Sequence, residues 1–146
     1  MLTVRDEQFE AFERWLFQDM QRRVERAIAT AFPELSAEAA EQAGRGNGEA
    51  ESKVSAIVEH GIESAARFNI SDGPDVAAFI ALGLALRFAA PGEAGKWIHN
   101  YLNRLGASGP TKLRMIESQL RARASDDKAL GVIAQRLAQA RERAVE

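Results

Sequence analysis

The chain contains no cysteine. That excludes structural disulfides, thiolate metal centres and thiol nucleophiles together. It is compatible with a reducing, cytoplasmic setting, which is where the protein is expected. Histidine is almost as scarce, with two residues, His60 and His99. The longest apolar run, residues 76–86, is far shorter than the roughly 20 residues that span a bilayer, so no membrane is expected among its partners. The opening residues carry no basic segment followed by an apolar one, so no secretion signal is expected. No stretch alternates apolar and polar residues as a half-buried strand does.

What is present reads as helix. The 146 residues are 46% hydrophobic and 27% charged, values ordinary for one globular domain. Apolar residues recur every three or four positions along most of the chain, which stacks them on helical faces. The expectation is an all-α, compact bundle of about six or seven helices forming one domain over residues 1–146. Its first helix covers residues 4–32, with Phe9, Phe12, Leu16, Met20, Val24, Ile28 and Ala31 inward, and Pro33 ends it. A short helix over 37–43 follows. Three glycines between Gly44 and Gly48 make 44–50 a flexible loop. A helix over 51–68 carries Gly61 within its apolar face, where a neighbour can approach closely. It ends near Asn69, a residue that tolerates the left-handed cap conformation.

Pro74 and Asp75 suit the first turn of the next helix. Every residue from 76 to 86 is apolar or glycine, and a helix apolar all round is surrounded by others. Residues 76–90 are therefore expected to form a buried central helix. Pro91 and Gly92 break the chain. A helix over 93–105, with Trp97, Ile98, Tyr101, Leu102 and Leu105 inward, ends at Gly106. Another covers 111–124 on Leu113, Ile116 and Leu120. Ser125 is expected to cap the last helix, 126–145, which is read as a segment able to detach.

Candidate chemistry is sparse. His60 falls beside Glu63 and Arg67 on the polar flank of its helix, and His99 falls opposite Trp97 and Tyr101. Both are expected to face solvent, where a general base contributes little. His60 and Glu63 have metal-ligand spacing, but no third ligand and no HExxH set accompany them. The glycine loop lacks the preceding strand and the Lys-Ser/Thr pair of a phosphate cradle. The sequence Asn69-Ile-Ser71 is a glycosylation sequon without a secretory context. No catalytic residue, metal or cofactor is expected, and a ligand pocket around Trp97 and Tyr101 is the one enzyme-like alternative.

Two features point to binding. Trp15 lies about 140° from the main face of the first helix at 100° per residue. It is either an interface anchor or, as the commoner fate of large aromatics, packed beneath the last helix. The last helix places Leu130, Ile133, Leu137, Ala140 and Ala144 at alternating spacings of three and four, a coiled-coil seam flanked by Arg136 and Arg141. That seam can dock on its own bundle, the favoured option, or pair with a second copy, or lie in a partner's groove. Trp15, Leu130, Ile133, Leu137, Arg136 and Arg141 are thus the candidate partner-binding residues.

Charge is uneven: residues 1–100 hold 10 Lys+Arg against 16 Asp+Glu, and residues 101–146 hold 9 against 5. The basic third, with Arg114, Arg121, Arg123, Lys128 and Arg136, offers a nucleic-acid-binding regulator as the alternative function. Solvated charge is the commoner reason for such a series.

Val58-Glu-His-Gly-Ile62 through Ala65, Phe68-Asn-Ile70, Asp75-Val-Ala-Ala-Phe79 and the terminal Phe32-Pro33 of the first helix resemble small helical bacterial proteins encoded beside spike and effector genes of type VI secretion loci. The resemblance covers residues 5–105. Where those proteins carry an acidic Gly-x-Asp-Phe stretch before a tryptophan, this chain has Ala89-Ala-Pro-Gly-Glu-Ala-Gly-Lys-Trp97. The resemblance implies a cytoplasmic, non-enzymatic protein that binds a secreted effector or spike component as adaptor, chaperone or immunity protein, without catalytic residues.

Overall fold

The computed structural model describes residues 4–35, 47–89, 98, 100–103 and 106–145. Five helices have both ends among them: α1 (Val4–Ala31), α2 (Asn47–Ala66), α3 (Gly73–Ala89), α4 (Gly109–Arg123) and α5 (Lys128–Val145). Helical residues at 33–35 and 100–102 belong to two more, and no strand occurs among the described residues. The fold is the all-helical bundle expected, with α3 touching α1, α2, α4 and α5.

α3 is central for the reason its composition gives. Val76, Ala77, Ala78, Ile80, Ala81, Leu82, Leu84 and Ala85 are buried, and they cover most of the circumference of the helix, while Phe79 and Leu86 are half-buried. Between them on the same stripe, Gly83 faces open space. Glycine there costs backbone entropy and contributes no contact. Gly83→Ala is therefore expected to stabilise the fold by roughly 0.5–1 kcal/mol, read as a raised urea midpoint at unchanged slope.

Local chemistry sets the joints. α2 closes in a Schellman motif: Asn69 sits at φ 61°, its N–H donates to the Ala66 carbonyl, and the Ile70 N–H donates to that of Ala65. At Gly61, a Cβ would lie 2.6 Å from Ile80 Cδ1, so the glycine is what lets α2 and α3 meet. Gly106 takes φ 94°, the left-handed conformation its position invited. Ser108 caps α4 by accepting from the Thr111 N–H at 3.3 Å, with Pro110 in the first turn.

α1 and α5 run antiparallel. Arg23 donates to the Val145 carbonyl near one end, and Arg136 donates to the Ala31 carbonyl near the other. The seam of α5 is wholly internal: Leu130, Ile133, Leu137, Ala140 and Ala144 are buried against α1, α3 and α4. Burying each Leu or Ile there stabilises by about 1.5–3 kcal/mol. Three of them are comparable to the net stability of a whole domain, which opposes detachment of α5.

Three further expectations are corrected. Residues 47–50 are helical, so the glycine loop does not reach residue 50; 44–46 lie outside the described residues, as do 37–43. α5 is capped by Asp127, not Ser125, because the Asp127 carboxylate accepts from the Ala129 N–H at 2.9 Å. The inward face of α1 does not run its whole length. It is buried from Val24 onward, while Phe12 and Leu16 are 56% and 46% exposed.

Candidate functional site

Two places concentrate charge or apolar surface. The first is a three-way ion cluster under α5. Arg141 donates to Asp75 Oδ1 at 2.5 Å through Nη1, and to Glu117 Oε1 at 2.9 Å through Nη2 and 3.2 Å through Nε. Asp75 opens α3 and Glu117 sits on α4, so one guanidinium fastens three helices. Burial pulls the Arg141 pKa down, but the hydrogen bonds and charges of Asp75 and Glu117 outweigh it and hold the pKa above the ordinary guanidinium value. Beside the cluster, α4 and α5 enclose a shallow cleft of about 330 Å³, lined by Arg121, Ala134, Leu137 and Val145 among others. Every hydrogen bond that Arg141 makes there goes to a carboxylate of the same chain, which makes the cluster a fastener.

Arg136 has a parallel role. It pairs with Glu34, donates to the Ala31 carbonyl at 3.1 Å and lies 4.7 Å from the Phe32 ring centroid. It pins the end of α1 to α5.

The second place is the first half of α1. Arg23 lies where α5 ends, and Met20 meets the start of α3 at Gly73. Residues 10–18 are all exposed, so this part of α1 stands out from the bundle over about 14 Å at 1.5 Å per residue. Along it Phe12, Trp15, Leu16 and Phe17 are 46–56% exposed. The Phe12 and Trp15 rings stack at 6.2 Å. Elsewhere among the described residues, large exposed apolar side chains are scattered singly as Met115, Val132 and Val145. Phe12, Trp15 and Leu16 stand together at i, i+3 and i+4 with Phe17 on the other side of the helix, and exposed apolar surface gathered in one stretch is the kind of feature that marks an interaction site.

The six candidate binding residues thus separate. Trp15 is exposed, against the expectation that α5 covers it, because α5 does not extend that far along α1. Leu130, Ile133 and Leu137 follow the favoured option for the seam: they are buried in the chain's own core and do not face a partner. Arg136 and Arg141 serve internal ion pairs, which also removes Arg136 from the series proposed to meet phosphates. Phe12 and Leu16 are surface residues that periodicity assigned to the core. Phe17 was missed, although its position about 140° from Phe12 was a signal that this stretch is apolar on more than one side.

His60 is exposed as expected, and His99 and Trp97 lie outside the described residues. Tyr101 is half-buried against the core. No group of three or more His, Asp or Glu side chains fit to hold a metal ion occurs among the described residues. Among them, too, no helix is long and apolar enough to cross a membrane. No family model, curated protein or solved structure matches the chain.

Proposed function

We propose that this is a non-enzymatic, protein-binding helical domain that presents the projecting half of α1 to a partner. The observation that carries the reading is the exposed row Phe12, Trp15, Leu16 and Phe17 on a helix that the rest of the bundle anchors firmly at its other end. Tryptophan and its aromatic neighbours are the residues that dominate binding energy when they enter a partner's pocket. About half of each side chain stays in water, so a binding role accounts for that apolar surface where this chain's own stability does not. The resemblance to proteins encoded beside type VI secretion genes makes a secreted effector or spike component the first partner to test, with this chain as adaptor, chaperone or immunity protein.

Trp15→Ala separates binding from folding. Its melting temperature is expected to stay within about 1–2 °C of the parent, because the side chain packs on little of the bundle. Affinity for the partner is expected to fall by about 2 kcal/mol, roughly thirtyfold. Calorimetry with a partner retrieved from the native host measures both. Equal affinity of parent and variant, or a large drop in melting temperature, would contradict the assignment.

A further inference from the structure

We infer that the projecting half of α1 is a ligand helix for an enclosing groove on another protein, a groove with an apolar floor and a rim of lysine or arginine. The inference rests on the protein-binding reading and adds the partner's shape and charge.

Shape comes from the distribution of apolar side chains around the helix. Phe12, Trp15 and Leu16 stand at i, i+3 and i+4, the anchor spacing of a helix lying in a groove. Phe17 is about 140° from Phe12 and about 160° from Trp15 at 100° per residue. Its exposure is 50%, equivalent to theirs. A flat surface that covers Phe12 and Trp15 leaves Phe17 in water. A groove that wraps the helix covers all of them.

Area points the same way. Large aromatics have about 150–250 Å² to bury, so four half-exposed side chains offer about 400 Å². A stable interface needs about 800 Å² from each partner. One face carries three of the four, about 300 Å², so a flat pairing falls further short than one that also takes in Phe17 and the polar surface between.

Charge selects the occupant. Residues 4–18 hold four acidic residues and two arginines, while Asp19 is paired with Arg23 at 2.9 Å. Glu10 and Glu13 are exposed along the same stretch as the aromatics. Two copies of this arm laid together would bring equal negative charges into contact, which opposes self-pairing. An anionic bilayer repels it too, since helices that lie on such membranes carry Lys and Arg on the polar face. A basic rim complements it.

The test uses the full chain in its native host, with the photo-crosslinker p-benzoylphenylalanine placed at Phe12 or, separately, at Phe17, and the cross-linked peptides mapped. An enclosing groove predicts cross-links from both positions to one protein, at sites where apolar residues adjoin Lys or Arg. Glu10→Lys with Glu13→Lys is expected to lower the yield tenfold or more while leaving the melting curve unchanged. Cross-links from one position only would show a flat partner and overturn the groove. Unchanged yield on charge reversal overturns the basic rim. In both cases protein binding by α1 survives. Cross-links to a second copy of this chain also overturn the inference. Cross-links to lipid alone, or none, remove the inference and the protein-binding reading together.

Discussion

Gly109→Ala is expected to lower stability by at least about 3 kcal/mol, the upper part of the usual cost of overpacking. Gly109 is buried at the start of α4, facing the end of α2. A Cβ there would overlap the Phe68 carbonyl oxygen, and would lie 2.8 Å from the carbonyl carbon and 3.0 Å from Ile70 Cγ1. Neither side can yield easily. The Phe68 carbonyl belongs to the turn fixed by the Asn69 and Ile70 hydrogen bonds, and Gly109 is held between the Ser108 cap and Pro110. A domain of this size loses roughly 2–4 °C of melting temperature per kcal/mol, so thermal unfolding should shift down by about 6–12 °C. Gly83→Ala is the built-in control, being the same substitution in a helix that faces open space. If both variants melt alike, α2 and α4 do not meet at Gly109 as closely as described.

That contrast shows which glycines could be understood from sequence. Gly61 was legible because it interrupts an apolar face, and Asn69 and Gly106 because each follows the last periodic residue of a helix. Gly109 carried no such mark. Its constraint is a backbone carbonyl 41 residues earlier in the chain, and periodicity reports only on neighbours three and four residues away. The existence of the helices and the centrality of α3 were readable for the complementary reason: both follow from local apolar spacing. Helix ends were readable only where the chemistry was unambiguous, and the last helix had two competing caps, Ser125 and Asp127.

The candidate site was half legible. Trp15 stood out by its angle from the main face. Phe12 and Leu16 did not, because a face of correct period is indistinguishable from a buried one until the lengths of the facing helices are known. α5 ends beside Arg23, so the same periodic stripe is core from Val24 onward and surface before Met20. The ion cluster was invisible for a related reason. Asp75 read as a favourable charge at a helix start, and Arg141 as a flank of a coiled-coil seam. Their pairing depends on α5 crossing the start of α3, 66 residues away in sequence.

The largest single effect expected from a side chain follows from that crossing. Arg141→Met keeps an unbranched apolar stem and removes the guanidinium with its charge. Asp75 is then left 5% exposed with no cation against it, and Glu117 loses its partner as well. Stranding a buried carboxylate costs 3–5 kcal/mol; Arg141 is 26% exposed in its side chain and Asp75 lies in the first turn of α3, so about 3 kcal/mol is expected here. Urea unfolding should show a lower midpoint at unchanged slope. Adding Asp75→Asn to Arg141→Met should recover part of the loss, since the stranded charge, not the missing bond, is the main cost. The pH dependence has a definite sign. The Arg141 pKa is raised in the folded state, so Arg141 itself stays fully charged at lower pH, and its titration removes the contribution only as the pH climbs from the ordinary guanidinium value through the raised folded one. The gap between parent and Arg141→Met should therefore stay constant from about pH 7 to about pH 10, far below any guanidinium titration. A gap that narrows on that interval would assign the stability to some other titrating group.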